Sequence, residues 1–148
     1  LPSIQPTHAV SDMPWAQSRV GDERIKGAYA YQTLLRQNGM LALGTDFPVE
    51  DINPFKTFYA AVSRKYYDGK SIPGFENEAL TRLQALYGMT KWAAMAAFME
   101  DKTGTLEKGK YADLIILDRD ILKVDEKDIL KTLVIYTIIN GKRVHSLE

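Results

Sequence analysis

The chain has 148 residues, 45% of them hydrophobic, and its 19 basic and 19 acidic side chains balance to a formal charge of zero. That balance argues against nucleic acid or an anionic membrane surface as a partner, since both favour a basic excess. No apolar run approaches the ~20 residues of a membrane-spanning helix, and the absence of cysteine excludes disulfides, zinc fingers and thiol catalysis while fitting a reducing, cytoplasmic compartment.

Residues 1–6 read as a short strand closed by Pro6, which has no N–H for a ladder. A polar loop containing His8 and Trp15 is expected next. From Asp22 onward Ile25, Ala28, Tyr29, Gln32, Leu34 and Leu35 recur at helical spacing, and Asn38-Gly39 supplies a left-handed stop. The run 40–44 (MLALG) then reads as a buried parallel strand. It leads through Thr45 into a carboxylate, Asp46. After a loop to Asn53, Pro54 opens a second helix with Phe55, Phe58, Tyr59 and Val62 on one face, ending near Asp68-Gly69. Strand, loop, helix, strand, loop, helix is the order of a parallel α/β sheet.

Thr81 and Thr90 are expected to cap two further helices. The second of these, KWAAMAAFM, is so rich in small residues that it implies close packing. Beyond Gly104 the composition turns β-branched. ADLIILD reads as a strand, and LVIYTIINGKRVH as a hairpin turning at Asn140-Gly141. A boundary near 100–105 divides the chain into residues 1–102 and 103–148.

An unpaired buried carboxylate is costly, so a strand ending in Asp46 asks what needs the charge there. In parallel α/β folds, functional groups gather at the C-terminal ends of strands. The plain alternative is an Asx-turn residue starting the loop. His8 lies beyond the end of the preceding strand and falls on the same side of the sheet if the two strands are parallel. His145, in the final strand without polar neighbours in sequence, is expected to be structural or exposed. Arg19 and Arg24 have the chemistry to bind a carboxylate, although such arginines are usually solvated or paired with neighbours such as Glu23, and Trp15 suits a pocket wall or packing equally. DGKSIP lacks the first glycine of a phosphate loop and carries Pro73 where its helix would begin. No G-x-S-x-G marks a serine nucleophile.

LGTDFPVEDINPF, followed by AAVSRK, resembles the last barrel strand of metal-dependent amidohydrolases, particularly the branch that includes N-substituted formamide deformylase. GTLEKGKYADLIILDRD resembles the segment by which those enzymes return to a small β-sandwich. SIQPTH is similar to their seventh strand and loop, and WAAMAAF to a late helix. The resemblance implies the C-terminal fragment of a (β/α)8 barrel: two β/α units over 1–102, and β-sandwich strands over 103–148. It implies that Asp46 is the strand-eight aspartate, a general base beside the metal-bound water and the one metal ligand of the family's set found in this chain. It also implies that His8 binds substrate without ligating the metal. The other ligands, a His-x-His pair, a modified lysine and two further histidines, are not in these residues.

The full-length protein is therefore expected to be a hydrolase of amide, N-formyl, imide or carbamate bonds using a divalent metal, zinc foremost, on a small-molecule substrate. A metal-less scaffold with this fold is the alternative, and a phosphoacceptor signalling domain a weaker one. The 148 residues alone are expected to be inactive and without catalytic metal. They are also expected to pair with the missing part of the barrel or with themselves.

Overall fold

The structure, a computed structural model, describes residues 1–71 and 76–147. Pro73, invoked above against a phosphate loop, lies outside them. The chain is mixed α/β. Strand β1 (Ser3–Ile4) leads into helix α1 (Pro6–Arg24), a 3-10 turn (Ile25–Gly27) and α2 (Tyr31–Asn38). Strand β2 (Ala42–Leu43) is followed by α3 (Pro54–Ser63), α4 (Arg82–Met89) and α5 (Lys91–Ala96). Three strands complete the order: β3 (Leu114–Leu117), β4 (Val134–Ile139) and β5 (Lys142–Ser146). Among the described residues no helix is long and apolar enough to cross a membrane.

β1 and β2 pair in parallel, with Ser3 opposite Ala42 and Ile4 opposite Leu43. The strands expected over 1–6 and 40–44 are present but only two residues long. Their side chains anchor the core. Ile4, Leu41, Ala42 and Leu43 are all buried, and Ile4, Leu41 and Leu43 pack with Phe58, Tyr59, Ala60 and Ala61 of α3 and Ala85 of α4. Gly88 permits that approach. A Cβ there would stand 2.2 Å from Leu43 Cδ1 and 2.9 Å from the Leu41 carbonyl oxygen, so α4 sits against β2 because position 88 has no side chain.

The polar loop expected after Pro6 is instead helical. Pro6 occupies the first turn, where its missing N–H is harmless. Pro6, Ala9, Val10, Met13 and Ala16 form one buried face, whose packing outweighs the interior Pro14 that normally breaks a helix. Gly21, at φ 82°, breaks the helix near its end. The helix expected from Asp22 is accordingly split into the end of α1, the 3-10 turn and α2, with Gly39 as the left-handed stop at φ 74°.

α3 ends at Ser63, earlier than expected, because Arg64 adopts a left-handed conformation at φ 55°. Asp68-Gly69 instead turns a short loop in which the Gly69 amide donates to the Tyr66 carbonyl. Thr81 makes a full capping box with Gln84. Thr90 stands at the N-cap of α5 but makes no side-chain cap there; it closes α4 instead, giving its hydroxyl to the Leu86 carbonyl. The small residues of α5 do permit close packing: a Cβ on Gly104 would lie 2.6 Å from that of Ala94.

β3, β4 and β5 form an antiparallel sheet in that order. The β4–β5 hairpin turns at Asn140-Gly141 with φ 50° and 75°, as a two-residue primed turn requires.

Candidate active site

Because β1 and β2 run in parallel, the residues that follow them emerge on the same side. The ladder continues to their ends, where the Gly44 amide donates to the Ile4 carbonyl at 3.0 Å. One chain then passes through Gln5 into the first turn of α1 and the other through Thr45 to Asp46. His8 Nε2 and Asp46 Oδ2 meet at 3.2 Å. His8 thus lies in a helical turn rather than in a loop, and the parallel pairing does bring it to Asp46. The approach has the distance of an ion pair without the alignment of a hydrogen bond, so Nε2 is buried with no hydrogen-bonding partner. The pair attracts by Coulomb's law when the imidazole is protonated.

Asp46 is not buried, contrary to the expectation from its strand. Its side chain is 44% exposed. The backbone at Asp46 is left-handed, φ 58°, a conformation Asp tolerates better than most residues. Its carbonyl accepts the Val49 amide at 2.8 Å and the Glu50 amide at 3.3 Å, which curls the loop back. Farther along the loop, Asp51 pairs with Lys56, whose hydrogen bond holds the Asp51 carboxyl below its usual value. Asn53 then accepts the Phe55 amide and starts α3.

Beside His8 opens a cavity of about 490 Å³, whose lining also includes Ser3, Gln5, Tyr29, Tyr31 and Thr33. Trp15 does not line it and is 49% exposed on α1. Arg19 and Arg24 are exposed on α1, and His145 is exposed on β5. Among the described residues no group of three or more His, Cys, Asp or Glu side chains is placed to hold a metal.

Sequence reasoning missed the residues behind the pair. Tyr29, Tyr31 and Arg64 converge beneath α1, and Arg64 is only 1% exposed. A faint signal existed, since Arg64 follows the apolar run of α3 and its nearest acidic residue in sequence, Asp68, is four positions on.

A carboxylate and an imidazole thus stand at matched ends of adjacent parallel strands in a mixed α/β chain. The model of the amidohydrolase family matches residues 1–145, and the chain belongs to that family. It is 37% identical over 146 residues to Protein LONG AFTER FAR-RED 3 of Arabidopsis thaliana, a match covering 97% of this chain and 24% of that protein. Against N-substituted formamide deformylase of Arthrobacter pascens the identity is 26% over 113 residues, covering 76% and 20%. The crystal structure of an uncharacterized metal-dependent hydrolase from Pyrococcus horikoshii OT3 superimposes with a TM-score of 0.73 at 38% identity, over 84% of this chain and 25% of that one. The chain therefore spans about a quarter of the length of the relatives it matches. The narrower deformylase-like branch has only the 26% match behind it.

Proposed function

We propose that the chain is the C-terminal portion of a metal-dependent amidohydrolase that cleaves a C–N bond of amide, N-formyl, imide or carbamate type. Asp46 is its general base and His8 a substrate-binding group. The observation that supports this most is the His8–Asp46 contact at 3.2 Å at the ends of adjacent parallel strands, the place where barrels and open α/β sheets carry their chemistry. In this reading β1 and β2 are the last two strands of a (β/α)8 barrel, residues 1–102 belong to it, and residues 103–148 belong to a β-sandwich beside it.

By its chemistry Asp46 could be one ligand of a divalent cation such as zinc, though the described residues do not make a site by themselves. Asp46 offers a half-exposed carboxylate that pairs with the His8 imidazole, and carboxylate oxygen is an ordinary zinc ligand. A catalytic zinc takes about three protein ligands, so Asp46 would hold it together with residues from outside this chain. A cation held there would supply Lewis acidity and would make a water more acidic, its pKa moving from about 15.7 toward ~7. Asp46 accepts the proton of the attacking water and returns it to the leaving nitrogen. His8 lines the neighbouring cavity, whose lining does not include Asp46, and would orient the substrate by hydrogen bonding.

The test is Asp46→Asn in the full-length protein, which keeps the volume and removes the base. Turnover should fall by on the order of 10²–10⁴, and near wild-type turnover would refute the role. His8→Ala should raise KM and leave the metal content unchanged; stoichiometric loss of metal would make His8 a ligand instead. The isolated 148 residues should be inactive and self-associating, as elemental analysis and light scattering would show.

A further inference from the structure

Arg64 is a poor choice for its position on two counts. It closes α3 in the left-handed conformation, φ 55°, where glycine is the ordinary residue and a bulky side chain is strained. It is also a guanidinium at 1% exposure, and burial pushes its pKa below the usual arginine value. A well-packed apolar side chain often serves stability as well as a buried charge does. What Arg64 contributes is contact in a particular direction.

Its Nη2 donates to the Tyr29 carbonyl at 3.2 Å, and its guanidinium lies over the Tyr31 ring, 4.6 Å from the centroid. The Tyr31 hydroxyl donates to the Gln5 carbonyl at 3.3 Å. That same carbonyl accepts the His8 amide at 3.1 Å. Tyr29, itself left-handed at φ 52°, gives its hydroxyl to Asp12 Oδ2 at 2.6 Å. Gln5 and Asp12 stand three residues before and four residues after His8, on its face of α1. The first turn of α1 is therefore held on both sides of His8 by two tyrosines that Arg64 holds in turn.

We infer that Arg64 is a positioning residue of the site: through Tyr31 and Tyr29 it sets the first turn of α1, and with it the separation of His8 from Asp46. The inference rests on the reading of that pair as the site. Among the described residues five non-glycine residues have positive φ; Tyr29 and Arg64 lie in this network, and Asp46 stands against His8 at its end. Such strain persists only where the surroundings over-determine the conformation.

The experiment uses the full-length enzyme and two variants. Tyr31→Phe removes only the hydroxyl on the Gln5 carbonyl, and Arg64→Lys keeps the charge while losing the planar contact. Each should lower kcat/KM by on the order of 10-fold to 10²-fold, the scale of a ~1 Å misplacement, and neither should change it further in a His8→Ala background. A merely structural role gives the same fold-loss in both backgrounds, and that result would overturn the inference. Amide hydrogen exchange gives a readout free of the chemistry. In Tyr31→Phe the His8 amide should exchange faster while the amides of α3 and α4 keep their rates, and an unchanged His8 rate would also overturn it. If His8→Ala itself leaves turnover and KM untouched, the proposed function fails, while the exchange measurement still decides whether the network positions this turn. Should Arg64→Lys not fold, Tyr31→Phe decides alone.

Discussion

The parallel pair β1–β2 and the antiparallel sheet β3–β5 are ordered by different forces. The parallel strands are two residues each, and almost nothing in their ladder holds them; they are fixed by burial, with Leu41 fully buried and Ile4, Ala42 and Leu43 nearly so. The antiparallel sheet has the longer ladder, yet its side chains lie half in water, with Ile115, Ile116, Ile139 and Val144 each 45–59% exposed. Its register slips at Ile116/Leu117 and again at Thr137/Ile138.

What ties this part to the helices is the segment between β3 and β4. Ile129 from its 3-10 turn is fully buried in the main core, Glu126 pairs with Lys65, and Arg82 donates to the Ile121 carbonyl. Backbone ladders can build a sheet without fixing where its ends point. A site needs fixed ends, and packing supplies them, which is why the candidate pair sits on the shorter strands.

That contrast predicts a graded set of effects in the full-length protein. Phe58→Ala, at a side chain 1% exposed under the parallel pair, should destabilise by about 3–5 kcal/mol in denaturant unfolding; a small effect would mean that the core is not what orders these strands. Gly88→Ala gains helix propensity but drives a methyl into Leu43 and the Leu41 carbonyl. Overpacking of this kind costs about 1–3 kcal/mol. Because Asp46 follows β2 by three residues, kcat/KM should fall with stability. Wild-type kinetics in that variant would break the link from α4 through β2 to the site.

Glu78 gives a pH test. Burial opposes its charge, but the amide and hydroxyl of Thr33 and the amide of Gln32 outweigh that, with Arg64 nearby, and hold its carboxyl below the usual 4.5. A carboxyl depressed in the folded state contributes stability above its unfolded pKa and loses that contribution as pH falls through the folded value. Glu78→Gln should thus cost about 1 kcal/mol at neutral pH, and the difference from wild type should shrink below about pH 4.5. Thermal melts at several pH values would show it; a gap that stays constant with pH would contradict the assignment. The smallest effect belongs to the other region, where Val144→Thr, at 59% exposure, should change stability by less than ~0.5 kcal/mol.

Much of this was legible in the residues themselves. Asn38-Gly39 and Asn140-Gly141 announced a helix stop and a hairpin turn, because few other residues take a positive φ easily. Pro54 after Asn53 announced the start of α3, and the apolar run 40–44 a buried strand. Asp46 stood out by local logic alone, as a charge at the end of that strand. α1 was hidden by Pro14 and a polar outer face, although the spacing of Ala9, Val10, Met13 and Ala16 carried the helical period.

The remainder was settled only when segments met. No local rule stops α3 at an arginine; Arg64 turns there because Tyr29 and Tyr31, more than thirty residues earlier, receive its side chain. Nor does anything within residues 40–50 say that Asp46 faces solvent with His8 beside it. Propensity and capping act over a few residues and can be read in order along the chain. The separation of two side chains thirty-eight positions apart depends on how β1, β2 and the helices above them pack, and packing is a property of surfaces that only the folded chain brings together.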